Sequence, residues 1–219
     1  MKKILLIVSS LWVVLASTAA ATAQDIKGDA AVGAQKNALC VGCHGIKGYH
    51  ISFPEVHQVP KINGQGAGYI RAALHAYKSG ERKHPSMRTL ASSLSDQDIA
   101  DLAAFYAGSG TGATLPASAP EGSAKAAELM VKGGCASCHG ANLSKPIDPA
   151  YPKIAGQHSD YLYVALRAYK ITDKPMIGRN HPVMGGIAKQ FSNAEMKVLA
   201  DYVGSLPSEM QTVQRDRLK

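Results

Sequence analysis

This chain of 219 residues has only four cysteines, all confined to two five-residue stretches, so none is left over for a structural disulfide elsewhere. A disulfide-stapled scaffold is thereby excluded. No run of β-branched residues reads as a convincing strand, which argues against a βαβ redox fold. Lysine and arginine outnumber aspartate and glutamate 24 to 16, yet they form no basic run of the kind that grips nucleic acid. Beyond the first two dozen residues no segment is apolar enough to cross a bilayer.

The two cysteine stretches are Cys40-Val41-Gly42-Cys43-His44 and Cys135-Ala136-Ser137-Cys138-His139. They lie 95 residues apart, too far for the paired knuckles of a usual four-cysteine zinc site, and zinc chemistry does not require a histidine after each second cysteine. C-x-x-C-H is the attachment signature of c-type haem. On a helical turn, positions i, i+3 and i+4 share a face. Cys40, Cys43 and His44 can therefore point at one flat ring, and so can Cys135, Cys138 and His139. The cysteines would form thioethers, and the histidine would take one axial position on the iron. The reading is of two covalently attached haem c groups.

Residues 1–23 read as a secretory signal. Lys2 and Lys3 are followed by a short apolar run from Ile4 to Ala16, and Ala21-Thr22-Ala23 is a small-x-small cleavage site. Export to the periplasm agrees with haem attachment, which occurs outside the bacterial inner membrane. Cleavage removes two lysines and takes the formal charge from +8 to +6. That surplus suits steering toward an acidic partner surface.

The chain is written twice. Pro60–Gln65 (PKINGQ) matches Pro152–Gln157 (PKIAGQ), and Tyr69–Lys78 matches Tyr161–Lys170. His84-Pro85-Ser86-Met87 matches His181-Pro182-Val183-Met184, and Ser95–Phe105 matches Ser192–Tyr202. The expected units are 24–107 and 123–207, joined by a Gly, Ser, Ala and Pro-rich linker at 108–122 and followed by a polar, loosely held tail at 208–219. Each unit has about 85 residues, a small core that an enclosed haem would enlarge. The fold class is all-α, with helices expected at Asp29–Leu39, Gly66–Ser79 and Ser95–Ala107, then Ser123–Lys132, Ser159–Thr172 and Ser192–Ser205. Ser95 with Asp98, and Ser192 with Glu195, fit helix N-caps with an acidic residue three positions on. The stripes Ile99, Leu102, Ala103, Tyr106 and Met196, Leu199, Ala200, Val203 should face the core.

The sixth iron ligand decides between electron transfer and catalysis. A ligand should recur in both copies. Met87 and Met184 do, 47 and 49 residues after the first motif cysteine. A thioether favours ferrous iron. His84 and His181 recur too and are the rivals, with loop structure or a surface hydrogen bond as their ordinary role. Met176 has no counterpart in the first copy, and Met130 and Met196 fall on helix faces that suit packing. His50, His57, His75 and His158 lack partners in the other copy.

Taken together, the two C-x-x-C-H units, the P-K-I-x-G-Q segment, the Y-[IL]-x(3)-L-x-A-Y-K helix, the later methionine and the closing S-x-x-[DE] helix resemble the cytochrome c4 family over essentially the whole mature chain. That resemblance implies tandem class I cytochrome c domains with His44/Met87 and His139/Met184 as axial pairs. It also implies a pseudo-twofold arrangement with the haem propionate edges near the domain interface. The His50–Gln58 loop and the His-Pro methionine loops depart from the family's usual pattern. The expected function is a monomeric periplasmic electron carrier, not an enzyme. Its redox partners would be a membrane bc-type complex or a periplasmic dehydrogenase upstream and a terminal oxidase downstream, and any membrane association would be peripheral. The competing readings are a dedicated dihaem subunit of a dehydrogenase of flavocytochrome c type, and a dihaem peroxidase with one open iron position.

Overall fold

The computed structural model describes residues 26–214, so the signal segment lies outside the described residues. Domain one begins with α1 (Ala30–Lys36) and α2 (Ala38–His44). The sequence suggested one helix here. The chain instead breaks at Asn37, and the cysteine motif itself forms the second helix. Helix α3 (Ala67–Ser79) follows, then α4 (Pro85–Ser92) and α5 (Asp96–Ala107). Domain two repeats the plan with α6 (Ala124–Gly133), α7 (Cys135–His139), α8 (Ser159–Ala168), α9 (Pro182–Ala188) and α10 (Asn193–Ser205).

Helices α4 and α9 correct the reading of the His-Pro-x-Met segments as loops. Histidine is the N-cap, proline occupies the first turn where its missing N–H costs nothing, and the methionine sits at the third helical position. Helix α8 stops four residues short of expectation. The last helix of each copy has the full reciprocal capping box, Ser95 with Asp98 and Ser192 with Glu195.

Both apolar stripes are buried. Ile99, Leu102, Ala103 and Tyr106 on α5, and Met196, Leu199, Ala200 and Val203 on α10, are all at most 5% exposed. Helices α1 and α5 approach so closely that a methyl group on Gly33 would lie 2.2 Å from the Asp101 carbonyl oxygen. Asp101 ties this crossing together by accepting from Asp29 N (2.9 Å), Lys36 Nζ (2.9 Å) and Gln97 Nε2 (2.8 Å).

Strand structure among the described residues is limited to two short antiparallel ribbons. One pairs β1 (His50–Ile51) with β2 (His57–Gln58) in domain one. The other joins the domains, pairing β3 (Arg82–Lys83) with β4 (Gly178–Arg179).

The main seam between domains is built from the duplicated PKI-x-GQ segments, paired reciprocally. Lys61 N donates to Gln157 Oε1, and Gln157 Nε2 donates back to the Lys61 carbonyl, both at 2.9 Å. Lys153 N and Gln65 make the equivalent pair, also at 2.9 Å. Lys61 Nζ reaches the Gly156 carbonyl at 2.6 Å, and Lys153 Nζ reaches the Gly64 carbonyl at 2.9 Å. Identical contacts exchanged in both directions are the mark of a twofold relation, here between two halves of one chain. Gly64 and Gly156 have φ values of 85° and 65°, and a methyl group on either would strike backbone within 2.7 Å.

The expectation of a loosely held tail fails for its described part, residues 208–214. Met210 is 3% exposed and accepts from Gln65 Nε2. Gln211 N donates to the Asn63 carbonyl at 3.0 Å, and Thr111 N donates to the Glu209 carbonyl at 2.9 Å. Domain two's end thus straps back onto domain one. A segment this short carries no periodicity for the sequence to display.

Removing both seam glutamines tests this docking. The double substitution Gln65→Ala with Gln157→Ala should cost at least about 2 kcal/mol by leaving buried backbone groups unpaired. It should also split a single denaturant-unfolding transition, followed by helical circular dichroism, into two. An unchanged midpoint would show that the seam contributes nothing to stability.

Candidate functional site

One continuous cavity runs between the two domains, and both cysteine motifs open onto it. Cys40, Cys43 and His44 line it from domain one, and Cys135, Cys138 and His139 line it from domain two. The helical turns of α2 and α7 bring each trio to one face, as the i, i+3, i+4 spacing requires. No disulfide joins any of the four cysteines.

His44 Nδ1 donates to the Pro60 carbonyl and His139 Nδ1 donates to the Pro152 carbonyl, both at 2.8 Å. The same duplicated segment that makes the domain seam therefore orients both motif histidines. Desolvation holds both imidazoles below the ordinary histidine range, so each is neutral. With Nδ1 occupied, Nε2 is left as the available donor atom toward the cavity.

Met87 and Met184 line the same cavity. So do His84 and His181, but their Nδ1 atoms are engaged as helix N-caps, accepting from Met87 N at 3.4 Å and Met184 N at 3.3 Å. Burial and the neighbouring cationic groups lower His84 to about 4, keeping it neutral as a cap. Met176 is 43% exposed and lies off the cavity. Met196 packs with Leu129, Phe191 and Leu199, and Met130 contributes to a cavity wall. His57 is buried against His84 and Tyr161.

Much of the remaining wall is aliphatic: Leu74, Leu90, Leu94 and Leu102 in domain one, and Leu162, Leu166, Ile187 and Leu199 in domain two. Two thiols and a neutral imidazole on one turn, a methionine on a separate helix, and aliphatic walls between them are the donor set and surroundings that a c-type haem needs.

The comparisons agree. The cytochrome c family model matches residues 30–107 and again 123–207. Cytochrome c4 of Pseudomonas aeruginosa is 32% identical over 189 residues, spanning 82% of this chain and 89% of that protein. The chain belongs to the cytochrome c4 family. The crystal structure of reduced recombinant cytochrome c4 from Pseudomonas stutzeri superposes with a TM-score of 0.61 at 30% identity, covering 82% of this chain and all of that one. A protein named as a thiosulfate dehydrogenase electron acceptor, from Stutzerimonas stutzeri, is 29% identical over 76% of this chain and 78% of its own length. Family membership supplies two covalently bound haem c groups and a tandem class I architecture.

Several residues in the cavity escaped the sequence reading. Arg82 and Arg179 stand in equivalent places two residues before the His-Pro-x-Met segments, and each faces a pair of duplicated tyrosines. Extending the repeat by two residues would have exposed them. Tyr106 is a difference between the copies: its buried hydroxyl lies beside Cys40, where domain two has Val203.

Proposed function

We propose that this member of the cytochrome c4 family is an exported, periplasmic, non-enzymatic electron carrier, with its signal cleaved near Ala23 and its two domains at 24–107 and 123–207. Cys40 and Cys43 hold one haem and Cys135 and Cys138 the other. His44 with Met87, and His139 with Met184, are the axial pairs. The observation that carries this reading is duplicated: in each domain a neutral, backbone-oriented histidine on one helix and a methionine on a capped second helix line the same cavity. When bound, haem iron supplies a one-electron couple between ferrous and ferric states. The protein's part is to keep the site rigid, so that little reorganises when the electron moves. Capping His84 and His181 fix the turns that present the methionines, and the Pro60 and Pro152 carbonyls fix the opposite imidazoles.

The direction of charge steering follows from the basic surplus, which favours acidic docking faces. The partners in this reading are a bc-type complex or periplasmic dehydrogenase as donor and a terminal oxidase as acceptor. A second reading, a dedicated subunit of a dehydrogenase, is favoured by the thiosulfate dehydrogenase electron acceptors among the relatives. It also gains support from the thiosulfate dehydrogenase structure from Marichromatium purpuratum, which matches at a TM-score of 0.57 and 25% identity while 36% of that chain is covered.

Met184→Ala should lower the reduction potential of one haem and leave the other nearly unchanged, because a thioether favours the ferrous state. An optical redox titration reads this directly, and two unchanged potentials would remove Met184 from the ligand set. Reduced protein should be oxidised by membranes containing a terminal oxidase. Co-purification with a dehydrogenase at fixed stoichiometry, with no such oxidation, would decide for the second reading.

A further inference from the structure

In its last turn, helix α5 brings Tyr106 to the cavity wall, and α10 brings Val203 to the equivalent place in domain two. The two positions are held alike. The Tyr106 carbonyl accepts from Gly64 N at 2.7 Å, and the Val203 carbonyl accepts from Gly156 N at 2.8 Å. Each side chain also packs with the first cysteine of its own motif. Cys40 lies against the cluster of Ile70, Leu102, Ala103 and Tyr106, and Cys135 lies against the cluster that contains Val203. Tyr106 is 3% exposed, and its ring meets that of Phe105 edge to face at 5.0 Å between centres.

Domain two shows that packing at this place needs only an aliphatic side chain. The tyrosine adds a hydroxyl. Among the described residues no nitrogen or oxygen serves that buried hydroxyl, and the polar group beside it is the Cys40 sulfur. A buried hydroxyl left without a partner is costly, so the sulfur beside it matters. Burial raises the Tyr106 phenol well above its ordinary range, so it keeps its proton and remains a donor. A cysteine joined to haem through a thioether has no S–H, and its sulfur can only accept.

We propose that the Tyr106 hydroxyl donates a hydrogen bond to the Cys40 sulfur once that cysteine carries haem, and so raises the reduction potential of the domain-one haem alone. The proposal rests on haem attachment at Cys40 and on no electron-transfer partner. Donation draws electron density from the sulfur, and through it from the porphyrin edge, which favours the ferrous state. Val203 offers Cys135 no such donor. One side chain thereby sets apart two irons held on the same plan.

The test uses the intact dihaem protein. Tyr106→Phe removes the hydroxyl and keeps the ring. It should lower one of the two potentials in an optical redox titration and leave the other in place. Resonance Raman should show the carbon–sulfur stretching band of one haem moved in the variant. Transfer into deuterium oxide should shift that band in the wild type and not in Tyr106→Phe. The wild-type half of this measurement needs no variant, and a band insensitive to deuterium would overturn the proposal. A potential that falls while the carbon–sulfur band stays put would also overturn it, because losing a buried dipole can change a potential without touching the sulfur. Two unchanged potentials would remove the tuning role. Mass spectrometry of the peptide holding Cys40 and Cys43 checks attachment separately. A peptide without haem would remove the underlying reading, whereas a haem peptide with an unmoved band would remove only the role of Tyr106.

Discussion

The structure turns on six residues written twice. In each copy, the proline carbonyl of the PKI-x-GQ segment accepts from a motif histidine, the lysine and glutamine bind the opposite copy, and the glycine receives the end of the last helix. Gly64 N donates to the Tyr106 carbonyl at 2.7 Å and Gly156 N donates to the Val203 carbonyl at 2.8 Å. A single extended stretch thus links the orientation of the motif histidines, domain packing and helix termination. Few changes there could affect one without the others, because the same backbone groups serve all three.

The twofold relation is imperfect in informative ways. Lys153 has Glu209 as a salt-bridge partner from the returning tail, whereas Lys61 has only backbone carbonyls and burial lowers its ammonium below the ordinary lysine range. Tyr106 in one pocket corresponds to Val203 in the other. The β1–β2 hairpin belongs to domain one alone, and it reaches across the boundary. Gln58 N donates to Asp160 Oδ2 at 2.7 Å, and Arg167 pairs with Glu55 at 2.9 Å. Two sites built on one plan therefore sit in different electrostatic surroundings, a basis for unequal potentials in a carrier with two irons.

Much of the site was legible in the sequence because its signals are local. A C-x-x-C-H turn places its three side chains by helical period alone, and a capping box is complete within four residues. The buried stripes of α5 and α10 followed from spacing in the same way. The His-Pro-x-Met helices were missed because seven or eight residues show too little periodicity, and because a histidine N-cap is a less familiar start signal than serine or aspartate. The break at Asn37 was missed because neither proline nor glycine punctuates the chain there.

The two C-x-x-C-H turns, the helical class and the duplication were all readable from the chain alone, since each shows in a local pattern of residues. Tertiary structure alone decided what the duplication is for. Whether two repeats face each other or stand apart depends on which backbone groups pair across tens of residues, and no local pattern encodes that. Only in the fold do Lys61 and Gln157 meet, and only there do Arg82 and Arg179 come to lie side by side, their unpaired charges turned into the same cavity.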